Sequence, residues 1–164
     1  MITLKNILVA TDFSEPSKAA LNYGRELAQN FGAGLHVLHI VGRVPMVIYG
    51  AEAYSASIPE LQQEIEDSGR AQLAAFLSED TRPIPTTTQV ITSDAPAMAI
   101  VDYARRLRID LIITGTHGRG ALAHLMMGSV AERVVRTAPC PVLTVRHPEH
   151  EFVLPDALVC VAKA

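Results

Sequence analysis

Cysteine, surplus positive charge and long apolar runs are all scarce in this chain, and each shortage removes a class of protein. Two cysteines, Cys140 and Cys160, make neither a disulfide framework nor a zinc pattern, which leaves them as buried or incidental thiols. Lys and Arg number 14 against 17 Asp and Glu, for a formal net charge of −3. Binding to a nucleic-acid backbone needs clustered cations, so that role is disfavoured. No apolar run approaches the ~20 residues needed to span a bilayer. The start MITLKNILVATDFS lacks the basic leader, apolar core and cleavage site of a signal peptide, and a cytoplasmic address with no membrane partner is expected. Low-complexity tracts are absent too. With 49% hydrophobic and 19% charged residues over 164 positions, the chain has the make-up and length of one packed domain.

What is present alternates. NILVA (Asn6 to Ala10) is a short apolar run of the kind buried on both faces of a sheet. Thr11-Asp12-Phe13-Ser14-Glu15-Pro16 follows with capping side chains and a proline suited to a first helical turn. Ala20, Gly24, Leu27, Ala28 and Phe31 then make one stripe of a helix that Gly32 and Gly34 end. LHVLHIV (Leu35 to Val41) predicts a second strand, whose His36 and His39 fall on opposite faces and cannot share a metal. Residues 42–57 are irregular and apolar, either a lid or partner surface or a loop packed on its own domain.

Ser57 and Glu60 have capping-box spacing before a second helix, with Leu61, Ile65, Leu73, Phe76 and Leu77 on its buried face to about Glu79. TTTQVIT (Thr86 to Thr92) is a β-branched third strand. Asp94 can cap a third helix with Ala99, Ile100, Tyr103, Ala104 and Leu107 inside and Arg105, Arg106 and Arg108 on a solvated face. Ile109 to Thr114 predicts a fourth strand, Ser129 to about Thr137 a fourth helix, and Pro141 to Arg146 a fifth strand. In the tail, His147, Glu149 and His150 suit a solvated turn better than a metal site, and an apolar end calls for docking on the core or on another subunit.

Five strands alternating with four helices specify an α/β domain: a three-layer α/β/α stack around a five-stranded parallel sheet with right-handed crossovers. Strand orders 2-1-3-4-5 and 3-2-1-4-5 are both common, with the switch point between strands 1 and 3 or between strands 1 and 4. The unusual loops are TDFSEP after strand 1 and GTHGRG after strand 4, which favours 3-2-1-4-5 with both loops on one crevice. Gly115, Gly118 and Gly120 are read as turning with positive φ and admitting a ligand close to the backbone. Ser129 and Glu132 have the S-x-x-E spacing of a capping box, which opens a helix whose N–H groups and positive dipole end suit phosphate. No G-x-x-x-x-G-K-[ST] string exists, and Gly118-Arg119-Gly120-Ala121-Leu122-Ala123 lacks the context of a dinucleotide fingerprint. Asp12 either faces a ribose or a bound divalent cation, or merely caps the first helix.

At these residues the chain resembles the universal stress protein family, single-domain ATP-binding type. Gly115-x2-Gly118-x9-Gly128-Ser129 fits the family's G-x2-G-x9-G-[ST] pattern without a gap, and NILVATDFSEPS and CPVLTVR resemble its first and last strands. The resemblance implies a universal stress protein domain over residues 1–146 with a C-terminal extension over 147–164, an adenine nucleotide alpha hydrolase-like fold, and a homodimer through the last strand and tail. It also implies ATP, with Mg2+ or Mn2+ near Asp12. Ala10, Thr11 and Asp12 would line the nucleoside, Ile40 the adenine, and Thr114 and Gly115 the ribose. His117, Gly118, Arg119, Gly128, Ser129 and Val130 would surround the phosphates. Ala10 stands where the family often has proline, and Ser93 where it often has glycine. The expected role is a nucleotide-dependent switch or interaction module in the stress response. A slow ATP hydrolase, with His117 or Asp12 positioning water, and a dimeric stress protein that binds no nucleotide are the alternatives; no dedicated catalytic base with a partner is visible.

Overall fold

Apolar runs of period two and stripes of period 3.6 become, in the computed structural model, five strands and four helices; the structure describes residues 2–44, 58–78, 84–116 and 127–146. The elements are β1 (Asn6–Thr11), α1 (Glu15–Phe31), β2 (Gly34–Val41), α2 (Ile58–Ser78), β3 (Thr86–Thr92), α3 (Pro96–Arg106), β4 (Leu111–Gly115), α4 (Ser129–Thr137) and β5 (Val142–Val145). All pairings are parallel and the sheet order is β3-β2-β1-β4-β5, as the loop chemistry implied.

Central β1 is buried on both faces, with Ile7, Leu8 and Val9 each 0% exposed, and its alternation sorts the core into two layers. Ile7 and Val9 pack with Ala20, Leu21 and Ala28 of α1 and Leu73 of α2. Leu8 and Ala10 pack with Ala97, Ile100 and Tyr103 of α3 and Val134 of α4. Helix α1 lies close because Gly24 has no side chain: a Cβ there would come within 2.5 Å of Val9 Cγ2. Arg25, one residue on, is buried and donates from Nη2 to the Leu77 carbonyl at 2.9 Å. That supplies a positive charge at the end of α2, whose own last turn has no basic residue.

Several local expectations need correcting. Asp94 does not cap α3: Ala95 is the N-cap, and Asp94 Oδ1 instead accepts the Arg43 N–H at 3.0 Å. Ile109 is buried but still belongs to the exit of α3, its N–H bonded to the Ala104 carbonyl, so β4 begins at Leu111. Leu61, read as core, is 46% exposed along a groove of about 260 Å³ that it shares with His39 and Gln72; of the residues of α2 only Gly69 and Leu73 are buried. Phe31 is 43% exposed at the last position of α1, where Gly32 turns left-handed at φ 63°, and Leu107 is likewise exposed as the C-cap of α3. Residues 45–57, including Ser57, and the tail from His147 to Cys160 and beyond lie outside the described residues.

The two histidines of β2 do face opposite layers. His36 Nδ1 lies 3.0 Å from the Tyr103 hydroxyl of α3, while the His39 ring packs on Phe13 on the α1 and α2 side. Burial pushes the His36 imidazole below its ordinary value. Burial also pushes the Tyr103 phenol up, with Arg106 pulling the other way. The folded state therefore disfavours the imidazolium relative to the unfolded chain. Its stability is complete above the unfolded value of about 6.5 and is lost progressively as pH falls through and below it. Thermal melts between pH 8 and pH 5 should show Tm falling in the acid limb, and His36→Gln should flatten that limb.

Candidate functional site

β1 and β4 are neighbours, yet α1 leaves β1 on one face of the sheet and α4 leaves β4 on the other. Their carboxyl ends therefore bound a crevice, the place where open α/β sheets take ligands. Ala10 pairs with Leu38 on one side and Thr114 on the other, so all three sit in one row across the sheet. Parity then divides the candidate residues. Ala10 lies in the α3 and α4 layer, and Ile40 and Val130 pack against that same cluster. Thr114 shares the face of Ile112, also in that layer. Thr11 and Gly115 point the other way, into α1. His117, Gly118 and Arg119 lie outside the described residues.

The TDFSEP loop is held by a directed chain of hydrogen bonds. Ser17 donates its hydroxyl proton to the Ser14 carbonyl at 2.9 Å, so at the 3.0 Å contact between Thr11 Oγ1 and Ser17 Oγ it is Thr11 that donates. Thr11 Oγ1 in turn accepts the Phe13 N–H at 3.0 Å. The Thr11 hydroxyl is thus committed to the turn and to α1. Asp12 Oδ1 accepts from both the N–H and the hydroxyl of Ser14, at 3.1 and 2.5 Å, which closes the loop on itself rather than capping α1. Phe13, between them, has φ 64°, a left-handed conformation that costs a bulky residue on the order of 1–3 kcal/mol. His39 Nδ1 lies 2.8 Å from the Thr11 carbonyl and so carries the proton. Sequence reasoning missed Phe13, Ser17 and His39; a Ser or Thr spaced to bond its neighbours was the only signal available.

Gly115 is not one of the glycines with positive φ, contrary to expectation. Its missing side chain makes room for α1 instead: a Cβ would lie 2.8 Å from Pro16 C and Cβ and 3.0 Å from Ser17 N. Ser129 is not a capping residue either. Gly128 is the N-cap, with φ −70° and ψ 150°, and among the described residues no side chain caps α4. The Gly128 N–H is already bonded to the Thr116 carbonyl at 2.7 Å, and its carbonyl accepts the Glu132 N–H at 2.9 Å. The N–H groups at the head of α4 are consequently those of Ser129, Val130 and Ala131, which have no intrahelical acceptor and carry the positive dipole end. Among the described residues no cluster of three or more His, Cys, Asp or Glu could hold a metal. Cys140 is half-buried, and burial pushes its thiol up, away from reactivity.

This arrangement can be set against known proteins. Residues 3–146 match the sequence model of the Universal stress protein family. The chain belongs to that family. A universal stress protein of Thermus aquaticus is 35% identical over 142 residues, 87% of this chain and 98% of that one. Universal stress protein MJ0531 of Methanocaldococcus jannaschii is 33% identical over 147 residues, 90% and 85% of the two chains. Among solved structures, universal stress protein UspA from Lactobacillus plantarum superposes with a TM-score of 0.73 at 27% identity, covering 89% of this chain and all (100%) of that one. Some family members bind adenine nucleotides. One universal stress protein was solved with cAMP (21% identity, TM-score 0.56, covering 88% and 98%) and one from Archaeoglobus fulgidus with dAMP (20%, 0.51, covering 88% and 99%).

In this universal stress protein the packing role of Gly115 is separable from any ligand. Gly115→Ala should cost about 1–3 kcal/mol, because the Pro16 backbone has to give way. Urea unfolding should show a lower midpoint at unchanged slope.

Proposed function

We propose that this universal stress protein binds ATP in the crevice between β1 and β4 and works in the cytoplasm as a nucleotide-dependent switch or interaction module of the stress response. The observation that carries the reading is the convergence of Ala10, Ile40, Thr114 and Val130 on one face at the switch point, beside a helix head that no described side chain caps. Apolar Ala10, Ile40 and Val130 suit a flat base. The N–H groups of Ser129 and Val130 suit an anion, which the dipole of α4 further favours. The intact Gly115-x2-Gly118-x9-Gly128-Ser129 pattern and the cAMP and dAMP complexes of other members support an adenine nucleotide.

In this reading Thr11 and Gly115 shape the pocket from behind, and Asp12 faces the ribose or a Mg2+ or Mn2+ ion carried in by the phosphates. His117, Gly118 and Arg119 complete the phosphate side. The domain spans 1–146, and the extension 147–164 docks on the core or on a second subunit. A homodimer through β5 is favoured because β5 ends the sheet and pairs only with β4 among the described strands.

Calorimetry of the purified chain with ATP and Mg2+ should give a saturable isotherm, and native mass spectrometry should show nucleotide retained on a dimer. Gly128→Val should weaken binding about tenfold or more. Its φ and ψ are open to any residue, so the melting temperature should change little. Unaltered affinity in that variant would remove the phosphates from this helix head.

A further inference from the structure

The one bulky residue of the TDFSEP turn holds a conformation that asparagine or glycine would adopt at less cost. Phe13 has φ 64°, and its ring is fixed from two elements: it tilts on His39 of β2 with centroids 4.3 Å apart and meets Phe76 of α2 edge-on at 5.4 Å. His39 is itself tied back to β1 by its Nδ1–H on the Thr11 carbonyl. The rings belong to the α1 and α2 layer. The left-handed turn they enforce swings Ser14 back so that its N–H and hydroxyl both reach Asp12 Oδ1, which fixes the carboxylate at the crevice end of β1.

We propose that Phe13 is a positioning residue: β2 and α2, through its ring, lock the backbone turn that aims the Asp12 carboxylate at the nucleotide. The functional half of this rests on the ATP reading above. Strain is retained at this position because the aromatic anchor, unlike a permissive glycine, forbids other turns. The arrangement also ties the carboxylate's direction to the placement of α2.

The test has two arms. Hydrogen exchange of the Ser14 amide, followed by NMR with the Ile113 amide as monitor of global opening, compares wild type with Phe13→Ala, Phe13→Gly and Phe13→Tyr. Exchange should quicken about tenfold or more in the two ringless variants while Ile113 is unchanged, and Phe13→Tyr should restore protection. Phe13→Gly keeps the test open should Phe13→Ala not fold, since glycine takes the left-handed turn freely. In the second arm ATP affinity is measured in a cycle with Asp12→Asn. Phe13→Ala should weaken ATP about tenfold alone and add nothing in the Asp12→Asn background. Native Ser14 protection in both ringless variants, or additive losses in the cycle, would overturn the proposal. A wild-type chain that binds no ATP would overturn the nucleotide reading, and the exchange arm would still decide whether Phe13 holds Asp12.

Discussion

Helix α1 sits nearly in contact with the backbone of the sheet, and most of the molecule follows from that distance. Gly24 opens the middle of the contact against Val9, and Gly115 opens its front end against Pro16. Ala20 between these points and Ala28 a turn beyond Gly24 keep the layer thin. A thin layer fixes where the first turn of α1 can lie relative to the end of β4. The TDFSEP turn is left to join β1 to α1 across a short gap, which it does by the Thr11, Ser17 and Ser14 bonds and by the left-handed Phe13. Dense packing transmits such constraints because neither side can yield without opening a void.

The same geometry explains why the crevice has two unlike walls. On the α1 side the Thr11 hydroxyl is consumed within the turn and by α1, and the Thr11 carbonyl is taken by His39 of β2. On the α3 and α4 side the wall is apolar at Ala10 and Ile40 and ends at the head of α4, which no described side chain caps. A ligand with a flat apolar part and an anionic part matches this division. Odd and even residues of β1 thus take different tasks, one set packing under α1 and the other facing the α3 and α4 layer.

Element types and the strand order were readable because they rest on periodicity and on the position of two unusual loops. Thr86–Thr92 and Ser129–Thr137 run where their patterns placed them. Capping was read less well. Ser129 and Glu132 have the spacing of a capping box, but spacing does not say which residue turns helical first, and here Gly128 precedes both. A glycine shows that something approaches closely without naming it. At Gly115 the neighbour is Pro16, a contact made only once β4 lies beside β1. Phe13 was illegible for a plainer reason: local preference argues against its conformation, and the rings that impose it come from β2 and α2. The parity that sorts Ala10, Ile40 and Thr114 from Thr11 and Gly115 was available from alternation alone, once the register was known.

The hydrogen bond from the Gly128 N–H to the Thr116 carbonyl makes two positions twelve residues apart, as their numbers give, a fixed doorway in the frame. Its posts belong to the end of β4 and the head of α4, each anchored elsewhere: Thr116 by its own N–H on the Val145 carbonyl, and α4 by Val134 in the core. Whatever chain enters and leaves by that doorway meets the entropy of a loop already closed, a term that grows only with the logarithm of its length. The sheet and the helix head are therefore held in register by this bond and by the core, independently of the segment that joins them.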